Sequence, residues 1–525
     1  LPTRPPGQNP QVPSDPVRRP EPAGAARPAR RVDAAGGGDH PTIQEAIAAA
    51  GAGEVIVVAP GRYEGPVLID RPVELVGEGD ALAVVVEAGG ADVLTFTASM
   101  GRIANLTVRQ TGPRHHGVDI ASGRLDVERC HVNSQGLACV LIRGTADPRL
   151  RLNVITGGAQ SGVLVVERGR GALVENEVSD NGRAGVEVRG EAQPTMRRNR
   201  LLDGRGAGLL VAEGARAIVE DNEIAGNAGA GVEIADGADP TLRRNRIVDG
   251  LGCGVFVRAG ARGTLEDNEI AGNELAGVEI SGGADPTLRR NRIRDGLAGG
   301  VFVHTQGRGT LEENEITANR FSAVSIKDGG NPIVRRNRIH HGRAGGIFVY
   351  DGGLGLLEEN DVFANAFAGL SIRDGGDPTA RRNRIHDGAE SGVFAYRGGR
   401  GTLEDNDVVG NALAGVEIKD GADPTLRRNR IVDGRSSGVY VHSDGRGTLE
   451  DNEIAANAGA GVSIAAGGRP TLRRNRISAN SLEAVSVLAG GGGLVEDNDL
   501  SGNLRGAWEI QGDGGRLHRE GNREA

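Results

Sequence analysis

The sequence predicts an all-β fold: a single-stranded right-handed parallel β-helix solenoid with 23 residues per coil and a short N-terminal capping helix. Sixteen asparagines recur at 23-residue intervals from Asn153 to Asn498 without a slip, so every repeat has one structural address. Each unit places apolar residues on either side of its asparagine and an alternating apolar pair further on, as Leu265, Ile270, Val278 and Ile280 do around Asn268. These read as three very short strands of period 2 separated by Gly-rich corners. No stretch inside a unit is long or periodic enough for a helix, which excludes ankyrin, armadillo and tetratricopeptide arrays.

Composition agrees. The 86 glycines supply backbone freedom at corners, and Val, Ile and Leu suit a narrow strand-built core. The glycines have no three-residue period, so collagen is excluded. A formal charge of -9 over 525 residues carries no nucleic-acid signature. Cys130, Cys139 and Cys253 have no zinc spacing and read as buried free thiols. No membrane span is expected.

Along the chain, residues 1–31 are rich in Pro, Ala and Arg and read as a disordered linker. Residues 32–510 form the β-helix with its N-terminal cap, and residues 511–525 a C-terminal tail or linker. The chain is expected to be part of a larger protein, possessing further fused domains. Localisation is open, with a cytoplasmic setting slightly favoured over a secreted one. Within the β-helix, Thr42 and Glu45 form a capping box, Ile43, Ala46, Ile47 and Ala50 make one apolar face, and Gly51 stops the helix. This helix is expected to plug the open end of the solenoid, which would otherwise expose strand edges and core. Strands Val55 to Val58, Val67 to Ile69, Val73 to Val76 and Val84 to Val86 then begin the coil.

Thr42-Ile43-Gln44-Glu45-Ala46-Ile47, the run from Glu54 to Glu64 and Val73-Glu74-Leu75-Val76-Gly77-Glu78-Gly79 resemble the opening of pectin-lyase-like right-handed parallel β-helices, above all the pectin methylesterase type. Later units such as Leu265-Glu266-Asp267-Asn268-Glu269-Ile270 resemble the repeats of carbohydrate-binding and sugar-hydrolase domains. The resemblance covers roughly residues 33–510 and implies the fold; its members include lyases, hydrolases, esterases, epimerases and non-catalytic modules. The esterase Arg-Pro-Trp element, the epimerase Asp-Pro-His-Glu element and the Asp-Gly-Gln-Gly element of polygalacturonase-like enzymes are missing, so no catalytic subgroup is matched.

Three patterns run through the array. The asparagines are expected to stack at one corner, bonding to their equivalents about 4.8 Å away. A second column, from Asn181 and Gly204 to Asn503, holds only Gly or Asn and is expected to adopt the left-handed conformation. The third pattern is charge: coils carrying Arg243-Arg244-Asn245-Arg246 alternate with coils carrying Glu266-Asp267-Asn268-Glu269. Opposite charges then face one another on stacking, and a slip of one coil would juxtapose like charges.

The candidate binding face lies in the third strand. Val255 and Val257 point inward, so Phe256 and Arg258 point outward. The same slot holds Phe302, Phe348, Phe394 and Tyr440 at 46-residue intervals, with His304, Tyr350, Tyr396 and His442 two residues later. Intervening coils supply Lys327, Arg373 and Lys419. Seven of the chain's thirteen Phe, Tyr and Trp residues lie in these two columns. Such a face either braces the coil surface or grips a protein partner or an extended polysaccharide. The favoured reading is a non-catalytic scaffold and binding module; the alternative is a carbohydrate-active enzyme, a lyase or glycoside hydrolase, on the same face. His304, His340, His341, His386 and His442 sit in separate coils without metal-ligand spacing. No cofactor is expected. Asp-rich corners such as Asp236/Asp239 have residues suited to calcium, but turns favour the same residues.

Overall fold

The computed structural model describes residues 29–512 and 516–524. One coil contributes Thr264–Glu266, Glu269–Ala271 and Val278–Ile280, one strand to each of three sheets. Each strand pairs in parallel with its equivalent in the next coil: Leu265 with Leu288, Ile270 with Ile293, Val278 with Val301. Alternation sends these residues inward, where they are at most 1% exposed and join a continuous core running from Val32 to Leu500.

The first sheet contains 22 strands. The repeat count predicts only 18–19 coils and a length close to 90 Å; 22 strands at about 4.8 Å spacing extend to about 100 Å. Each end adds one strand that the repeat count leaves out. Ala29–Val32 pairs with Glu54–Val58, so the coil begins inside the segment read as linker, of which residues 1–28 lie outside the described residues. At the other end Leu517–Glu520 pairs with Gly493–Glu496. The backbone N–H and Nδ2 of Asn498 both donate to Asn522 Oδ1, at 3.0 Å. Residues 517–524 therefore continue the solenoid where a tail is expected. Their asparagine comes after 24 residues instead of 23 and falls outside a strict periodic count.

The helix Ile43–Ala49 starts where Thr42 Oγ1 accepts from the Glu45 N–H at 3.2 Å. It buries Ile43, Ala46 and Ile47 against Ala29–Val32, Glu54–Val58 and Val67–Ile69. The expected cap is present.

In the ladder, Asn314 represents the rest. Its Oδ1 accepts from the backbone N–H of Asn291 at 2.9 Å and from Asn291 Nδ2 at 3.0 Å. Its own N–H and Nδ2 donate to Asn337 Oδ1, and Nδ2 donates again to the Leu288 carbonyl at 2.9 Å. Both halves of the amide are thus used in full, 1% exposed. The residue before each ladder asparagine is left-handed, as at Arg244, Asp267 and Arg290 with φ of 52°, 56° and 53°.

The Gly/Asn column corrects the expectation placed on it. The left-handed residue is the one before it: Asp249, Gly272 and Asp295 have φ of 54°, 67° and 55°. The column itself is a second amide ladder, occupied at alternate coils from Asn181 to Asn457 and at every coil from there to Asn503. Gly250 N–H donates to Asn273 Oδ1 at 3.1 Å, and a Cβ on Gly250 would stand 3.2 Å from that oxygen. A side chain there would crowd the asparagine one coil on, although Asn457 and Asn480 show that the column also accepts asparagines in consecutive coils.

The charge alternation forms as the register dictates. Arg243 Nε lies 3.0 Å from Glu266, Arg244 contacts Asp221 at 2.8 Å, and Arg246 contacts Glu223 at 2.8 Å. The Arg290 guanidinium is held 2.9 Å from Asp267.

Candidate binding face on the third sheet

Because Val301, Val303, Ile347 and Val349 are buried, the residues between and after them are directed outward. All twelve candidate residues, Phe256, Phe302, His304, Lys327, Phe348, Tyr350, Arg373, Phe394, Tyr396, Lys419, Tyr440 and His442, are half-buried on this face. Strand register stacks Phe302 on Ser325, Ser325 on Phe348, Phe348 on Ser371 and Ser371 on Phe394. Ring levels consequently recur every two coils, about 9.6 Å apart.

Within each ring level the two side chains stack on each other. Centroids are 4.4 Å apart for Phe302 and His304, 4.3 Å for Phe348 and Tyr350, 4.3 Å for Phe394 and Tyr396, and 4.2 Å for Tyr440 and His442. Interplanar angles of 15–27° make these parallel pairs. One face of each ring is spent on its partner. Cations lie beside the levels: Lys419 is 5.1 Å from the Phe394 ring, Lys327 5.8 Å from Phe302, and Arg258 5.9 Å from Phe256. Arg373 bridges two levels, 5.0 Å from Phe348 and 5.9 Å from Tyr396. Asp328 beside Lys327 raises its ammonium pKa and keeps it charged. Burial pushes the Tyr350 phenol up, so it is a proton donor at neutral pH.

The second-column identities follow a rule that sequence alone conceals. Each residue reaches back to the first-column residue of the preceding coil. Where that residue is Glu233, Glu279 or Glu417, a basic side chain meets it: Arg258 contacts Glu233 at 2.8 Å, His304 Nε2 donates to Glu279 at 3.0 Å, and His442 Nε2 to Glu417 at 3.2 Å. Where it is Ser325 or Ser371, the partner coil carries Tyr350 or Tyr396. Glu279 also accepts from the Cys253 thiol at 3.0 Å, and Glu417 from Ser391 Oγ at 2.9 Å. Burial pushes the Cys253 thiol well up, and Cys130 and Cys139 up to about 11 and about 12. All three are buried and unpaired, as expected.

Sequence reasoning missed a neighbouring apolar column. Leu275, Phe321, Phe367 and Leu413 are 47–57% exposed at the corner leading into the third sheet. Leu275, Phe321, Phe302 and Phe348 wall a cleft of about 490 Å³. The signal was available: these four residues also recur at 46-residue intervals.

His340 and His386 lie on the second sheet instead, stacked on either side of Phe363 at 4.8 and 5.1 Å. Among the described residues, no group of three or more His, Cys, Asp or Glu is placed to hold a metal. None of the described helices is long and apolar enough to cross a membrane.

The chain belongs to the right handed beta helix region family, whose model matches residues 92–247, 138–293, 276–431 and 379–523. No curated protein matches the sequence significantly. Solved structures match in fold. The periplasmic alginate epimerase AlgG is 14% identical over 70% of this chain and 78% of its own, with a TM-score of 0.30. The A-module of the Azotobacter vinelandii mannuronan C-5 epimerase AlgE4 is 16% identical over 91% and 93%, with a TM-score of 0.30. A variant of the PL6 family alginate lyase AlyGC is 11% identical over 91% and 98%, with a TM-score of 0.37. At these identities the likeness is one of fold. The slight leaning toward a cytoplasmic setting is not upheld; AlgG, one of the matched structures, is described as periplasmic.

Proposed function

We propose that the third sheet binds an extended polysaccharide running parallel to the solenoid axis. The observation that carries this reading is the regular alternation of half-buried ring pairs with cations over at least six coils of one uninterrupted face. Apolar sugar faces pack against aromatic rings, and Lys327, Arg373 and Lys419 attract acidic groups. A flat face with a short repeat suits a linear polymer better than a globular partner, whose surface has no such period. The test is a panel of acidic and neutral polysaccharides beside a protein array, probed with the intact chain and with a chain in which Phe348, Tyr350, Phe394 and Tyr396 are all Ala. Polysaccharide capture should be lost in the variant while its circular dichroism is retained. Unchanged capture by the folded variant would reject this face; capture of protein alone would replace the sugar with a protein partner.

A carbohydrate-active enzyme is the second reading, favoured by the hydrogen-bonded carboxylate–imidazole pairs Glu279–His304 and Glu417–His442 beside the rings. Such groups are those that general acid–base chemistry uses. Incubation with the same polysaccharides, with and without calcium, and measurement of new chain ends decides it. Turnover proportional to protein and abolished by Glu279→Gln or Glu417→Gln would establish the enzyme.

A further inference from the structure

We propose that the polysaccharide is an alternating copolymer of neutral and acidic sugars, with one carboxylate per disaccharide; this rests on the polysaccharide reading above. The face changes chemistry at every coil. Ring levels at Phe302/His304, Phe348/Tyr350 and Phe394/Tyr396 alternate with levels that hold a hydroxyl and a cation, Ser325 with Lys327 and Ser371 with Arg373. Successive levels are about 4.8 Å apart, comparable with the advance of one pyranose along an extended chain. Consecutive sugars therefore meet a ring pair, then a cation, then a ring pair.

Charge counting sets the anion density. Lys327 already has Asp328 at 3.3 Å, and Arg373 has Asp374 at 3.2 Å. Each cationic level can share its charge with one ligand carboxylate and offers nothing to a second. Carboxylates mark the outer boundaries: Glu279 pairs with Phe302 on one side, and Glu417, which shares its coil with Lys419, pairs with Phe394 on the other. Between these carboxylates lie five levels in the order ring, cation, ring, cation, ring. A homopolymer with a carboxylate on every sugar would place anions on ring levels and against Glu279 and Glu417. A neutral polymer would leave Lys327 and Arg373 unused. Alternation satisfies both kinds of level in one register.

The test is calorimetric titration of the full chain with four probes of similar length: oligosaccharides of hyaluronan and of unsulfated chondroitin, each alternating; an oligogalacturonate, charged at every sugar; and cellohexaose, neutral. At least one alternating probe should bind about tenfold or more tighter than the oligogalacturonate and cellohexaose. The Lys327→Gln/Arg373→Gln variant, checked for an unchanged circular dichroism spectrum, should bring it to the level of cellohexaose. Equal or tighter binding of the oligogalacturonate or cellohexaose overturns the alternation and leaves the polysaccharide reading standing. An advantage of the alternating probes that survives in the double variant also overturns it. If no carbohydrate binds, the polysaccharide reading falls, and the alternation with it.

Discussion

At the residue scale, two side chains define what the molecule tolerates. The Asn314 amide makes five hydrogen bonds to neighbouring coils and protein backbone, counting its N–H, so its loss strands donors and acceptors in a dry interior. Asn314→Leu should cost about 1–3 kcal/mol for each group left unpaired, read as a lowered urea midpoint. A midpoint within error of the parent would show that the ladder is decoration. Phe348 and Phe394 test the opposite case. Both are half-buried and stacked on Tyr350 and Tyr396, so Phe348→Ala with Phe394→Ala should weaken polysaccharide binding about tenfold or more with a smaller loss of stability. A large fall in the thermal midpoint with unchanged binding would make the rings structural braces. The ladder was legible in the sequence because every asparagine keeps the same spacing and the same duty. The pairing of His304 with Glu279 was not, since it joins residues 25 apart whose contact exists only after coils stack. The left-handed residue was misplaced by one position for a related reason: Gly and Asn suit a positive φ and also suit a gapped amide ladder, and only coordinates separate the two demands.

At the scale of one coil on its neighbour, the alternating charges hold register more than they add stability. Arg290 meets Asp267 and Glu266 below it, and Arg244 meets Asp221. These pairs are exposed and screened by solvent, so each contributes little to stability. Arg290→Glu should therefore lower the urea midpoint slightly at low salt and almost not at all at high salt, where exposed charges are screened. Asp267→Arg added to Arg290→Glu should recover part of the loss; additive losses would deny the pairing. Acid gives a second handle. The Arg244 guanidinium beside Asp221, and the Arg474 guanidinium beside Asp451, hold those carboxyls below the usual aspartate range. A carboxyl whose folded pKa is depressed adds stability that is complete above the unfolded value of about 3.8 and disappears as pH falls through the folded value. Stability measured from pH 6 downward should hold until about pH 4 and then fall, and a flat profile to pH 2 would remove these pairs from the account.

At the scale of the whole molecule, the chain repeats by two coils and not by one. The ion pairs alternate, the second amide ladder alternates Gly with Asn as far as Asn457, and the binding face alternates rings with cations; all three share the 46-residue period. The regular array was readable because each coil contacts only its neighbours, so a local pattern fixes a global shape. The two ends were not, because Ala29–Val32 and Leu517–Glu520 stack without the spacing that marks the rest. A double period makes an asymmetric prediction about length. Removing residues 300–345 takes out 46 residues and joins Gly299 to Gly346. It sets Arg290 and its coil against Glu359 and its coil, and Gly296 beside Asn365, so every alternation survives. Removing residues 300–322 takes out only 23. It sets Arg289, Arg290 and Arg292 against Arg335, Arg336 and Arg338, and Gly296 beside Gly342, leaving the Gly296 N–H without the Asn319 Oδ1 that it now reaches at 3.0 Å. The shorter deletion should thus be the more damaging one. The unpaired N–H costs about 1–3 kcal/mol, and the like charges add a further loss that salt relieves. Urea unfolding at low and high salt measures both parts: the 46-residue deletion should keep a single cooperative transition near the parent midpoint, and the 23-residue deletion should show a lowered midpoint only partly restored by salt. Equal stability of the two shortened chains would mean that the alternation stores no register and that one coil is the true unit of the fold.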